Sequence, residues 1–209
     1  LKTFQDYYVK KDYVNALKVL TDHGQVLPKS LYHYNLGTVQ AQLGKLAEAR
    51  ANLLIADHEG FDSPELRENL TFVENALEIP RLENSIGVTD YLVKGSLFAS
   101  QGAFTTLFLL ILLAGLAGIR KTPSFKKLML VIGVAVIPVC FNVVTLLWPR
   151  HIILKQQPLL EGPSTLFTTV QEIPAGVMIM GTQNGEWIKI FYPSRFAGWI
   201  QDKNLKGIN

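Results

Sequence analysis

Residues able to do chemistry are few in this chain, and they are scattered. In the N-terminal half the histidines are His23, His33 and His58. No His-x-His or His-x3-His pair sets two imidazoles on one face, and no Asp or Glu stands where it would complete a ligand set, so no metal centre is expected. Cys140 is the only cysteine. That excludes an internal disulfide and a cysteine-based zinc site, and its place deep in an apolar run reads as a small buried hydrophobe. Glu65, Glu68 and Glu74 fall on one predicted helix and read as its solvated face. There is no Ser-His-Asp set, no paired-carboxylate pocket and no phosphate-binding glycine loop, so the chain is expected to be neither an enzyme nor a cofactor carrier.

The elements that would position any site are set by uneven hydrophobicity. The 209 residues are 48% hydrophobic, and the excess lies between residues 95 and 149. Positions 95–119 and 128–149 carry no charge. A bilayer core about 30 Å thick needs about 20 apolar residues in a helix, so two transmembrane helices are expected, at 103–119 and 128–149. Between them, 120–127 holds Arg120, Lys121, Lys126 and Lys127 and no acid. The excess of basic charge over the mixed outer flanks puts this loop in the cytoplasm and both chain ends outside it. The sequence opens at Leu1 rather than Met, which fits removal of a secretory signal or a trimmed start. In the second run Pro138 and Asn142 lie one helical turn apart. The carbonyl freed by the proline and the Asn amide suit helix packing, and without an intramembrane charge they do not suggest a transport site. A net charge of +3, with no basic patch interleaved with aromatics, argues against nucleic acid as a partner.

Residues 1–80 show helical periodicity and repeat at roughly 33 residues. The clearer unit, 30–62, has Leu36-Gly37, Gly44 in a turn, and Ala49 and Ala56 at small positions. Gly37 and Ala49 would let two antiparallel helices approach while Leu36, Leu46 and Leu53 fill the seam. The preceding unit aligns Tyr7, Tyr13, Ala16, Leu20 and Pro28, with Lys11 where the turn glycine is usual. A third helix, capped by Asp62 or Ser63 with Pro64 in its first turn, would close the stack. This pattern resembles the tetratricopeptide (TPR) repeat. The resemblance implies a concave, peptide-binding face made by Gln5 and Tyr8 of the first unit and by Tyr34, Asn35, Thr38 and Gln42 of the second, with Asn35 holding a ligand backbone.

Beyond Pro149 the runs HIILK, TLFTTVQEI, GVMIMGTQ, EWIKIFY and GWIQDKNL alternate apolar and polar residues between Gly and Pro punctuation. They predict about five strands, with Asn184-Gly185 as a tight hairpin turn. The segments at 162–164, 174–177, 185–190 and 198–200 resemble bacterial SH3-type domains. A small all-β barrel over 150–209 is the expectation, presenting Trp187, Tyr192, Phe196 and Trp199 to a peptide, with Phe196 in its loop the most exposed.

The expected fold class is thus a multi-part membrane protein: an all-α TPR-like repeat (1–80), a connector (81–102), an antiparallel transmembrane hairpin with its basic cytoplasmic loop, and an SH3-like barrel. That order, with the run YHYNLG…LGKLAEA…ELRENL, resembles the BatE-type proteins of bacterial Bat aerotolerance (MoxR–Bat) systems. The resemblance implies an inner-membrane scaffold whose two modules are periplasmic. Its partners would be membrane-anchored von Willebrand factor A Bat proteins, other Bat proteins including BatD, the lipid bilayer and, indirectly, a MoxR-type AAA+ ATPase. The alternative is a cell-wall tether in which the barrel binds peptidoglycan.

Overall fold

The computed structural model describes residues 2–97, 101–120 and 124–208. The chain divides into two compact units, one built from Leu1–Ser85 together with Pro149–Asn209 and the other from Ile86–Trp148.

The first unit begins with helical pairs: α1 (Lys2–Val9) with α2 (Tyr13–His23), α3 (Lys29–Gln42) with α4 (Leu46–His58), and α5 (Pro64–Ala76) with the single turn α6 (Ile79–Leu82). The turns inside the three pairs share one backbone signature. Lys11, Gly44 and Glu78 all have positive φ, at 60°, 73° and 54°, and they stand about one repeat length apart. At the first two, the N–H one residue further on reaches back to a carbonyl near the helix end, from Asp12 to Tyr7 and from Lys45 to Gln40, both at 2.9 Å. This is the Schellman pattern, in which a left-handed residue satisfies the last carbonyls of a helix. The repeat is therefore written in the backbone even where the turn residue is lysine or glutamate. Asp12 caps α2 and Ser63 caps α5, the Ser63 hydroxyl accepting the Leu66 N–H at 3.1 Å.

Close approach of α3 and α4 depends on Gly37. A Cβ there would lie 2.8 Å from Leu53 Cγ and 3.0 Å from the Ala49 carbonyl, so any side chain would wedge the pair apart. Helix α4 is buried almost all round, with Ala47, Ala49, Arg50, Ala51, Asn52, Leu53, Ile55 and Ala56 all inside. Such cover requires a second layer beyond the neighbouring helices, and α4 packs on the first strand of the C-terminal sheet.

That sheet contains β1 (Arg150–Ile153), β2 (Gln157–Leu160), β3 (Thr169–Ile173), β4 (Met178–Asn184), β5 (Trp187–Tyr192), β6 (Gly198–Gln201) and β7 (Leu205–Gly207). All pairings are antiparallel, in the order β3-β2-β6-β5-β4-β1-β7. Ile153, Leu159, Ile173, Val177, Ile179, Ile188, Ile190, Phe196 and Ile200 form its core, and Leu82 of α6 packs against it.

Two expectations about fold class are corrected here. The C-terminal strands are not a five-stranded SH3-like barrel but one continuous seven-stranded antiparallel sheet, edged by β3 and β7. The two extra strands lack a sequence signal. Pro158 interrupts β2 and reads as a breaker, and β7 is only three residues long. Nor do the described residues hold two helices fit to cross a membrane. Among the described residues one helix is long and apolar enough, over Gly102–Ile119.

The second unit contains α7 (Val88–Leu97), α8 (Gln101–Ile119) and α9 (Phe125–Leu147). α9 has Lys126 and Lys127 at its start and Pro138 inside it. The side chains of Asn142, Thr145 and Leu146 lie outside the described set, so α9 offers no unbroken described apolar stretch to match α8. The two helices run antiparallel, with Phe104 stacked on Phe141 at 5.5 Å, and α7 packs on α9. The segment expected to be a connector is therefore largely helical.

Candidate functional site

The first helices of the first two pairs, α1 and α3, carry the residues of the expected groove, and α5 is the first helix of the third pair. Tyr8 is half-buried, 5.9 Å from the Phe4 ring and 5.6 Å from that of Tyr13. Burial, then the neighbouring Tyr13 and Tyr34, pushes its phenol pKa above the ordinary tyrosine value. The ring of Tyr34 stacks on Phe61 at 4.4 Å. Its carbonyl accepts the Thr38 hydroxyl at 2.9 Å, and Thr38 Oγ1 accepts the Asn69 amide of α5 at 3.2 Å. Tyr8, Tyr34 and Thr38 are thus brought together, with Asn69 added. Asn35 is half-buried, and its amide forms no hydrogen bond among the described residues. Gln5 and Gln42 are exposed.

Two members of this surface were missed from the sequence although the repeat offset marks them. Asn69 and Phe72 stand on α5 where Asn35 and Thr38 stand on α3, and Phe72 is 61% exposed. The surface offers amide and phenol groups to a backbone and an aromatic ring to an apolar side chain. Such chemistry suits holding a polypeptide segment.

On the sheet, the four expected aromatics separate into two pairs. Trp187 and Trp199 are half-buried. Trp187 stands opposite Gln201 and Lys189 opposite Trp199, so the tryptophans are diagonal neighbours on the outer face, and Lys189 Nζ lies 5.8 Å from the Trp199 ring. Tyr192 and Phe196 are not available to a partner, being 3% and 2% exposed. Tyr192 continues the inward alternation of Ile188 and Ile190 along β5. A single 3-10 turn, Ser194–Phe196, folds Phe196 back into the core, which the loop-like PSRFAG did not suggest.

Of the basic loop, Arg120, Lys126 and Lys127 are exposed, and Lys121 lies outside the described residues. Pro138 is buried within α9, and the Asn142 side chain also lies outside the described set.

Within the first unit, two polar clusters tie the helical layer to the sheet, and neither was expected. Arg50 is 4% exposed. Its guanidinium donates to Glu74 at 2.9 and 3.0 Å, to Glu83 at 2.6 and 3.2 Å, and to the Gly176 carbonyl at 2.7 Å. Glu83 also accepts the Met178 N–H at 2.7 Å, joining α4, α5, α6 and the start of β4. Burial alone would lower the Arg50 pKa, but Glu83 and then Glu74 more than offset it and hold it above the ordinary value. Glu74 is therefore not part of a purely solvated face.

The second cluster centres on buried Asn52. Its Nδ2 donates to Gln40 at 2.6 Å and to the Glu48 carbonyl at 3.0 Å. Its Oδ1 must then accept, from Lys206 Nζ of β7 at 2.6 Å and from His33 Nδ1 at 2.9 Å. That arrangement fixes His33 as the Nδ1–H tautomer. Burial lowers the His33 pKa, and Lys206 and Lys29 push the same way against the Asn52 hydrogen bond. His23 and His58 are exposed. Among the described residues no three His, Cys, Asp or Glu side chains stand together as a metal site.

Fold and surface define a class: a short helical-repeat layer backed by an antiparallel sheet, with a surface suited to recognition. No protein-family model, curated protein or solved structure matches the chain.

Proposed function

We propose that this protein is a non-enzymatic scaffold of the bacterial inner membrane that holds partner proteins in the concave face of a TPR-type repeat. Its setting is a MoxR–Bat assembly, with membrane-anchored von Willebrand factor A Bat proteins as direct partners and a MoxR-type AAA+ ATPase engaged through them. The carrying observation is the unequal cover of the helical layer. One side is closed by α4 and the sheet behind it, while the α1-α3-α5 side keeps the uncommitted Asn35 amide and the exposed Phe72 ring. A helical layer stiffened from behind and open in front is the arrangement a peptide groove requires.

Membrane attachment is supported by α8, whose Leu107, Leu109, Leu110, Leu113 and Leu116 are all exposed. The segments on either side of the second unit belong to one compact body and so lie on one side of the membrane, which the proposal takes to be the periplasmic side, with α9, antiparallel to α8, returning the chain to it.

The test is a detergent pull-down on the full chain with mass spectrometry. Recovery of von Willebrand A membrane proteins by the wild type, and their loss from an Asn35→Ala/Phe72→Ala variant, is the expected result. Recovery of none, or equal recovery by both, rejects the proposal.

A second reading has one observation in its favour. The half-buried Trp187 and Trp199, with Lys189 beside them on the outer sheet face, suit stacking on a glycan strand, as a cell-wall tether binding peptidoglycan would need. Sedimentation with purified sacculi separates the two: retention lost in Trp187→Ala/Trp199→Ala favours the tether, and no retention leaves the scaffold.

A further inference from the structure

Helix α7 reverses the usual polarity over part of its surface, while Val93 is buried and Thr89 and Lys94 are exposed in the ordinary way. In water, a surface helix turns its apolar stripe inward and its polar residues outward. In α7 the polar side chains Asp90 and Ser96 are 0% and 4% exposed, whereas Val88, Tyr91 and Leu92 are 79%, 65% and 50% exposed, and Ile86 just before the helix is 81% exposed. The buried polar groups are satisfied: Asp90 Oδ2 accepts the Gly87 N–H at 2.7 Å, and Ser96 Oγ donates to the Val93 carbonyl at 2.7 Å. The inversion is thus built into the packing. It matches a medium outside the helix that is itself apolar.

At 10 residues, α7 is about 15 Å long, half of what an apolar core about 30 Å thick would demand. It cannot cross a bilayer, but it can lie at its boundary. Two further features point to lipid as the occupant. α7 belongs to the same compact unit as α8, the one described helix fit to enter a membrane, and precedes it closely in the chain. One of its outward residues is Tyr91, a type enriched at the headgroup level, where an apolar ring and a polar tip are both accommodated.

We propose that α7 is an interfacial membrane helix that sinks Ile86, Val88, Tyr91 and Leu92 into the boundary between headgroups and acyl chains. The proposal rests on the membrane reading of α8, and its test separates the two. The full chain, with Cys140→Ser, is given single cysteines at Tyr91, Leu92, Leu113 or Lys203. Each is labelled with an environment-sensitive fluorophore and reconstituted into phosphatidylcholine–phosphatidylglycerol vesicles carrying either shallow or deep nitroxide quenchers. Circular dichroism confirms that each labelled protein is folded.

The expected result is strong shallow quenching at 91 and 92, roughly halving emission, with weaker deep quenching. Position 113 is quenched most by the deep probe, and 203 by neither. Quenching at 113 without quenching at 91 and 92 overturns the α7 proposal and leaves α8 in lipid. Loss of quenching at all three overturns both. Blue-shifted but unquenched emission at 91 and 92 means that protein, such as a second copy of the chain, covers this face, and it also overturns the proposal.

Discussion

Arg50→Met is the substitution that tests the join between helices and sheet most sharply. The side chain keeps most of its apolar bulk but loses its donors to Glu74, Glu83 and the Gly176 carbonyl. Glu74, with its side chain 31% exposed, can be rehydrated and contributes little to the loss. Glu83 is 12% exposed and is left as a charge that still accepts the Met178 N–H. Removing one side of a buried ion pair costs about 3–5 kcal/mol, because the charge left behind is uncompensated. Adding Glu83→Gln removes that charge, so the double variant should recover about 1–2 kcal/mol over the single one. The assay is urea unfolding of the full chain in mild detergent, followed by tryptophan emission, with Trp187 and Trp199 reporting from the sheet. A single variant costing less than about 1 kcal/mol, or a double variant less stable than the single, would refute the reasoning.

Other consequences follow from local features. Burial holds His33 and His151 below the ordinary histidine pKa, so the folded state binds fewer protons than the unfolded one. Their contribution is present above about pH 6.5 and is lost as pH falls through the histidine range; thermal midpoints should drop from pH 7.5 to 5.5, and a flat or rising profile contradicts this. Lys11→Gly relieves a side chain at φ 60° and should stabilise the chain by about 1 kcal/mol, read as a higher denaturation midpoint. Ser63→Ala removes the cap on Leu66 N–H and should cost about 1 kcal/mol in the same assay.

The repeat was legible because its signals are local. Gly37 beside Ala49, Gly44 in the turn and Ser63 before Pro64 each act within a few residues of where they stand, and the structure uses them so. The expected groove residues were assigned from that register, and Asn69 and Phe72, one repeat offset from Asn35 and Thr38, would have been assigned with them had the third helix been read as a repeat instead of a cap. What was not legible depends on distant partners. Nothing around Arg50 announces Glu83 and Gly176, and Asn52 meets Lys206 only across the whole chain. Phe196 looked exposed because a loop of Pro, Ser, Arg and Gly hides the short turn that returns it to the core. Pro158 concealed β2 since a proline in an apolar run argues against pairing, and the inverted polarity of α7 cannot be judged until the buried side of the helix is known.

The helical layer and the sheet, which lie on either side of the second unit in sequence, belong to one compact unit and should move as one rigid body. Spin labels at the exposed positions Lys45 and Lys203, in the full chain with Cys140→Ser, measure this directly by double electron–electron resonance. A single narrow distance distribution that broadens in Arg50→Met is expected. A broad distribution in the otherwise unsubstituted protein would contradict it, because the two parts would then move independently.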